Sequence, residues 1–134
     1  MRPALLIVDD EEPILFAMKE YFESAGFAVD CASGAETARQ LLAERKHGAL
    51  IADLRLSASG RSDGLELVAH ARLSSPETQI VLLTAYGSAD IEREAKRLGV
   101  GAFLHKPQPL PQIARILREL LASGSRRAPG SPAQ

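Results

Sequence analysis

Five polar residues in the chain each stand at or just past the C-terminal end of a short apolar run. They are Asp9, Asp10, Asp53, Thr84 and Lys106. Three carboxylates in one cleft repel one another, and a divalent cation that neutralises them makes such a cluster stable. Oxygen ligands favour Mg²⁺, and a lysine and a hydroxyl beside the cation are the groups needed to hold a phosphoryl group. The residue types therefore indicate phosphoryl transfer onto an aspartate, with an acyl phosphate as the product.

Short apolar runs alternate with amphipathic stretches five times along the chain. The runs that predict strands cover residues 4–8, 28–32, 49–52, 80–83 and 102–104. Helical spacing follows them, for example at steps of three and four from Ile14 to Ala25. Continuous apolar strands joined by helices predict a parallel sheet covered on both faces, which is a doubly wound α/β domain. Because ligands bind beyond the carboxyl ends of such strands, we expect the five polar residues on one rim.

Composition restricts the class of protein further. The 134 residues suit one domain, expected over residues 1–122, and residues 123–134 are interpreted as a flexible tail or the start of a linker. The balance of 16 basic and 17 acidic residues argues against direct binding to nucleic acid. One cysteine excludes a disulfide framework, and no apolar run approaches the roughly 20 residues that span a membrane. We expect a cytoplasmic protein that does not contact membranes.

Motifs in order along the chain resemble those of the receiver domain of two-component response regulators. The matching segments are residues 6–12, 52–54, 63–67, 83–87 and the pair Lys106-Pro107, and the match covers about residues 4–121. The resemblance implies a single flavodoxin-like domain with five parallel strands in the order 2-1-3-4-5. It also implies a phosphoacceptor signalling domain rather than an enzyme, one that assists only its own phosphorylation and dephosphorylation.

The resemblance implies a role for each polar residue at the strand ends. Asp53 would accept a phosphoryl group from the phosphohistidine of a sensor histidine kinase or a phosphotransfer protein. Asp9 and Asp10 would place Mg²⁺ together with Asp53, one of them acting through water. Thr84 would bind the phosphoryl oxygen after activation, and Lys106 would bridge that oxygen and Asp53.

Further positions of the family fall on named residues of this chain. The switch aromatic falls on Phe103, which core packing explains equally well, and the usually cis peptide bond falls on Lys106-Pro107. The backbone carbonyl of Arg55 would complete the metal site, and the side chains of Arg55 and Tyr86 would tune hydrolysis of the acyl phosphate. Residues 54–64 form a longer segment than is usual in the family, and they lack its proline. We therefore expect an extended, mobile loop over the site.

By resemblance, phosphorylation would change a face formed by the fourth and fifth helices and the fifth strand. That face would act on a downstream output domain or protein, or form a homodimer. Two alternatives stay open. A pseudo-receiver would have the same fold but would act as an interaction module without phosphorylation. The altered segment 54–64 is compatible with this alternative. A Mg²⁺-dependent phosphatase with an aspartyl nucleophile typically needs an Asp-x-Asp pair after the first strand, whereas Asp9 and Asp10 are adjacent.

Overall fold

Five parallel strands and five helices alternate in the computed structural model, which describes residues 2–53, 63–85 and 88–126. The strands are β1 (Ala4–Val8), β2 (Ala28–Ala32), β3 (Ala49–Asp53), β4 (Gln79–Thr84) and β5 (Ala102–His105). The helices are α1 (Glu12–Ser24), α2 (Ala35–Glu44), α3 (Asp63–Ser74), α4 (Ala89–Arg97) and α5 (Leu110–Arg126). The sheet order β2-β1-β3-β4-β5 confirms the predicted doubly wound fold and its strand order.

The apolar content of each strand decides its place in the sheet. Strands β1, β3 and β4 are buried along most of their length, because helices cover both of their faces. Strand β2 carries Asp30 and is only partly buried, and it lies at one edge as that charge predicts. Strand β5 forms the other edge, where its residues are half-buried or exposed.

Successive residues of a central strand point to opposite faces, so the sheet separates two apolar cores. Leu50 lies in the core shared with α2, α3 and α4, whereas its neighbour Ile51 lies in the core shared with α1 and α5. Both side chains are almost completely inaccessible to solvent. Burial on both faces fixes the register of β3, and thereby the position of Asp53 at its end.

Helix α5 extends to Arg126, past the domain end predicted at residue 122. Its apolar face is anchored on the sheet through Ile113 and Leu117, which are buried. Each residue added to an anchored helix contributes a backbone hydrogen bond. The helix α5 can therefore continue through a last turn that contains Ser and Gly. Residues 127–134 of the predicted tail lie outside the described residues.

Residues 54–62, which make up most of the predicted loop over the site, also lie outside the described residues. The helical hydrogen-bond pattern of α3 begins at Asp63, within the segment predicted as loop. Among the helices that the structure describes, none combines the length and the apolar character needed to cross a membrane.

The two-sided core predicts which leucine substitutions matter for stability. Leu50→Ala removes a fully buried side chain from the central strand and should lower the free energy of unfolding by about 2–5 kcal/mol. Leu73→Ala, at a residue that is 88% exposed, should change it by no more than about 0.5 kcal/mol. Urea unfolding followed by circular dichroism measures both. Equal effects of the two variants would contradict the assignment of the core.

Candidate functional site

Asp9 follows β1 directly and is almost completely buried, with 2% of the residue exposed. Its Oδ1 accepts a hydrogen bond from the backbone N–H of Glu11 at 2.9 Å. Its own backbone N–H donates to the carbonyl oxygen of Ala32 at 3.1 Å. These bonds fix the turn between β1 and α1. A buried carboxylate is costly unless it is hydrogen-bonded and paired, and Asp9 is both, because Lys106 contacts its other oxygen.

Asp9, Asp10 and Asp53 each offer one carboxylate oxygen to the same small space, and these oxygens lie within 4.8 Å of one another. Asp10 is exposed, whereas the side chain of Asp53 at the end of β3 is only 13% exposed. Two negative charges at this separation repel by about 3 kcal/mol at an effective dielectric constant of about 20. A set of hard oxygen donors with excess negative charge fits a divalent cation such as Mg²⁺.

Lys106 brings a positive charge into the cluster from the residue after β5. Its Nζ donates to Oδ2 of Asp53 at 2.8 Å and to Oδ2 of Asp9 at 3.3 Å. Burial by itself lowers the pKa of Lys106, but the hydrogen bond to Asp53 and the negative charges of Asp53 and Asp9 outweigh burial and raise the pKa above its ordinary value. The side chain is therefore an ammonium at neutral pH. The Lys106-Pro107 peptide bond is cis, the geometry that the resemblance implies.

Thr84 is the last residue of β4, and Phe103 lies within the neighbouring strand β5. Thr84 is fully buried, and its carbonyl oxygen accepts a hydrogen bond from the backbone N–H of Lys106 at 2.8 Å. Phe103 is half-buried and packs against the core that the sheet shares with α2, α3 and α4. Its ring meets the ring of His105 edge to face, with centroids 5.7 Å apart. Partial burial is compatible with both interpretations of Phe103, core packing and switching.

The five polar residues predicted at the strand ends therefore collect on one rim of the sheet. Three carboxylates and Lys106 form one cluster, and Thr84 directly follows Leu83, the residue paired with Asp53 in the sheet. Arg55 and Tyr86 lie outside the described residues, so the roles assigned to them stay predictions.

One buried polar pair was not expected from the sequence. His47 is buried, and its Nε2 lies 2.8 Å from Oδ2 of the partly buried Asp30. The hydroxyl of Thr78 donates to the carbonyl oxygen of His47 at 2.8 Å. These contacts tie the edge strand β2 to the segments before β3 and β4, far from the carboxylate cluster along the strands. No motif spacing links residues 30, 47 and 78, so only the folded chain reveals the pairing.

Comparisons with known proteins agree with this geometry. The family model described as "Response regulator receiver domain" matches residues 5–118. The alginate biosynthesis transcriptional regulatory protein AlgB of Pseudomonas aeruginosa is 34% identical over 103 residues, which cover 77% of this chain and 22% of that protein. The photosynthetic apparatus regulatory protein RegA of Rhodovulum sulfidophilum is 31% identical over 115 residues, covering 86% of this chain and 61% of that protein. The chain thus spans about a fifth to three fifths of the length of these two curated relatives.

Solved structures share the fold. A CheY-like receiver domain protein from Methanospirillum hungatei JF-1 has a TM-score of 0.89 at 23% identity, covering 96% of this chain and all of that one. A response regulator protein from Burkholderia pseudomallei, solved with a phosphorylated aspartic acid, a calcium ion and citrate, has a TM-score of 0.79 at 26% identity. That match covers 98% of this chain and 76% of the other. Receiver domains bind Mg²⁺ at an acidic site, and the described residues contain an aspartate cluster of this kind.

The position of Lys106 predicts a stability contribution that depends on pH. Lys106→Met leaves Asp9 and Asp53 without their ammonium, and in chelator at pH 7 it should lower the free energy of unfolding by about 1.5–3 kcal/mol. Because the folded-state pKa of Lys106 is raised, its contribution is complete below the unfolded-state pKa of about 10.4 and is lost as the pH rises through the folded-state pKa. Urea unfolding of both proteins from pH 7 to pH 11 measures the difference.

Lys96→Met is the matched control, because Lys96 forms an exposed i,i+4 ion pair with Glu92 at 3.2 Å. It should cost less than about 1 kcal/mol at pH 7. An effect of Lys106→Met that equals the control, or that stays constant up to pH 11, would contradict the charge pairing described for Lys106.

Proposed function

The chain belongs to the response regulator receiver family, and from this premise we propose that Asp53 accepts a phosphoryl group from the phosphohistidine of a sensor histidine kinase or a phosphotransfer protein. The observation that carries the proposal is the position of Asp53 beside Lys106 within a cluster of three carboxylates. The Burkholderia pseudomallei response regulator, which was solved with a phosphorylated aspartic acid, supports the same chemistry. The expected compartment is the cytoplasm.

In the proposed transfer, a carboxylate oxygen of Asp53 forms a bond to phosphorus as the nitrogen–phosphorus bond of the phosphohistidine breaks. The electron pair of the broken bond stays on the imidazole nitrogen, and that ring takes up a proton. The ammonium of Lys106, 2.8 Å from Oδ2 of Asp53, holds the carboxylate in place and offsets the charge that the phosphoryl group brings. The product is an acyl phosphate on Asp53.

The residues that would hold Mg²⁺ are Asp9, Asp10 and Asp53, with the backbone carbonyl of Arg55 outside the described residues. The bound cation would neutralise both the carboxylates and the phosphoryl oxygens. Asp9 is fixed by the N–H of Glu11 and by burial, whereas the exposed Asp10 has room to bind the ion directly or through water.

After transfer, the hydroxyl of Thr84 would donate a hydrogen bond to a phosphoryl oxygen. The displacement of Thr84 would open space beside β5, which the ring of Phe103 would enter. This is a shift between two populated arrangements, driven by the contacts that the phosphoryl group makes in only one of them. The face formed by α4, β5 and α5 would change with it and contact a downstream output domain or protein, or a second copy of the chain. The greater length of the regulatory relatives AlgB and RegA supports an output domain as one such partner.

We propose further that this domain turns over no substrate other than its own acyl phosphate and does not bind nucleic acid directly. Acidic and basic residues are nearly balanced, at 17 and 16, so the composition shows no excess of basic residues of the kind typical of domains that bind a phosphate backbone.

The proposed metal site predicts that Asp10→Asn lowers the affinity for Mg²⁺ and raises the stability of the metal-free protein. Asp10→Asn removes an oxygen ligand of high charge, so it should weaken Mg²⁺ binding by at least about tenfold, measured by isothermal titration calorimetry. In chelator the same change removes one repelling charge, so it should raise the free energy of unfolding. Glu12→Gln changes an exposed acidic residue of α1 outside the cluster and should leave Mg²⁺ affinity unchanged. Unchanged affinity in Asp10→Asn would remove that residue from the metal site.

Intact-protein mass spectrometry after incubation with Mg²⁺ and acetyl phosphate tests the acceptor. Wild type should gain one phosphoryl group, Asp53→Asn none, and chelator should abolish the gain. Asp90→Asn removes an exposed carboxylate of α4 and should react like wild type.

Three results would overturn parts of the proposal. No gain in folded wild type would favour a pseudo-receiver that acts without phosphorylation. A gain in Asp53→Asn would move the acceptor to another residue. Steady hydrolysis of an added phosphoester by wild type would favour a phosphatase.

A further inference from the structure

Phe103 and His105 are two residues apart on β5 and therefore point to the same face of the strand. Their ring planes meet at 84° with centroids 5.7 Å apart, which is an edge-to-face contact. Aromatic pairs in this geometry stabilise each other beyond the apolar area that they bury. The contact therefore favours the present position of the Phe103 ring over any position that breaks it.

The sheet register places His105 next to the residue that the phosphoryl group would draw in. Thr84 is paired with His105, and Leu82 is paired with Phe103 two residues earlier along the two strands. Thr84 is fully buried, Phe103 is half-buried and His105 is exposed. For its ring to enter space left by Thr84, Phe103 must move towards the rim that His105 occupies, and the edge-to-face contact must change.

The backbone of His105 is held on both sides. The next backbone N–H, that of Lys106, donates to the carbonyl oxygen of Thr84 at 2.8 Å. The carbonyl oxygen of His105 accepts a hydrogen bond from Nε2 of Gln108 at 2.9 Å. These hydrogen bonds hold in place the part of the backbone from which the imidazole ring reaches the ring of Phe103.

We propose that His105 is a positioning residue for Phe103: its ring stabilises the resting position of the Phe103 side chain and so sets the equilibrium between the resting and activated arrangements. This inference rests on the proposed function, because it assigns to His105 an effect on the equilibrium of the rearrangement proposed for Thr84 and Phe103. Since a switch responds only to interactions that differ between its two states, a contact made in the resting state opposes activation. Loss of the imidazole ring should therefore increase the activated population before any phosphoryl group is present.

The test compares His105→Ala, which removes the ring, with His105→Phe, which keeps an aromatic edge at the same place. His70→Ala is the control for loss of an imidazole elsewhere, on α3. Phenylalanine-labelled protein is followed by NMR in chelator without a phosphoryl donor. The four phenylalanines give a spectrum in which Phe103 is assigned by a Phe103→Leu variant.

In His105→Ala, the shift of the Phe103 ring should move towards its position in activated protein, reporting about a two- to tenfold larger activated fraction. His105→Phe adds a fifth phenylalanine signal but should return the Phe103 signal to its wild-type position, and His70→Ala should not alter the Phe103 signal. The initial rate of phosphorylation by acetyl phosphate should also rise in His105→Ala. Across the variants, a larger activated fraction should go with a faster initial rate. Rescue by the aromatic variant separates positioning from a general loss of packing.

An unchanged Phe103 signal in a folded His105→Ala protein would overturn the inference, as would an equal displacement in His105→Phe. Failure of the proposed function gives a different result. In that case wild type takes up no phosphoryl group, and Mg²⁺ with a phosphoryl donor does not move the Phe103 signal in any variant.

Discussion

The ion pairs of Lys106 with Asp53 and Asp9 are the interactions on which the rest of the site depends. Without a positive charge between them, the three carboxylates oppose the approach of β1 and β3 at the rim. One ammonium offsets only part of their charge, so the cluster keeps an excess of negative charge. Such a cluster is paired well enough to persist in the folded chain, and its excess negative charge suits the divalent cation that the proposed transfer to Asp53 requires.

The fold keeps that balance by fixing where each strand ends. Asp53 is at the end of β3, whose alternate residues are buried in two different cores, so a shift of one position would exchange its two faces. Lys106 directly follows the edge strand β5, whose residues are half-buried or exposed. The carboxylates therefore lie at the ends of buried central strands and meet a less buried edge strand, on which the rings of Phe103 and His105 contact each other. The proposed acceptor and the surface proposed to change with it therefore belong to different strands of one sheet.

Much of this arrangement is predictable from the sequence, because the sequence pattern indicates where each buried strand ends. An apolar run followed at once by Asp9, Asp53 or Thr84 shows where a buried strand stops, and parallel strands bring such ends to one rim. Contacts between side chains of different segments are not visible in this way. The pairing of His47 with Asp30 depends on how a loop folds over an edge strand. The edge-to-face contact of Phe103 follows from two side-chain rotamers, which spacing alone does not determine.

The most direct measurement of the central claim is a two-dimensional amide NMR titration of the chain with Mg²⁺ and beryllofluoride, a stable analogue of the phosphoryl group. If Asp53 accepts a phosphoryl group and Thr84 and Phe103 respond to it, signals should change at the rim and along β4 and β5. The same titration of Asp53→Asn should leave those signals in place. A folded wild-type protein whose spectrum does not respond would contradict the assignment of Asp53 as the acceptor that controls this switch. So would a response confined to the three aspartates, with β5 unchanged.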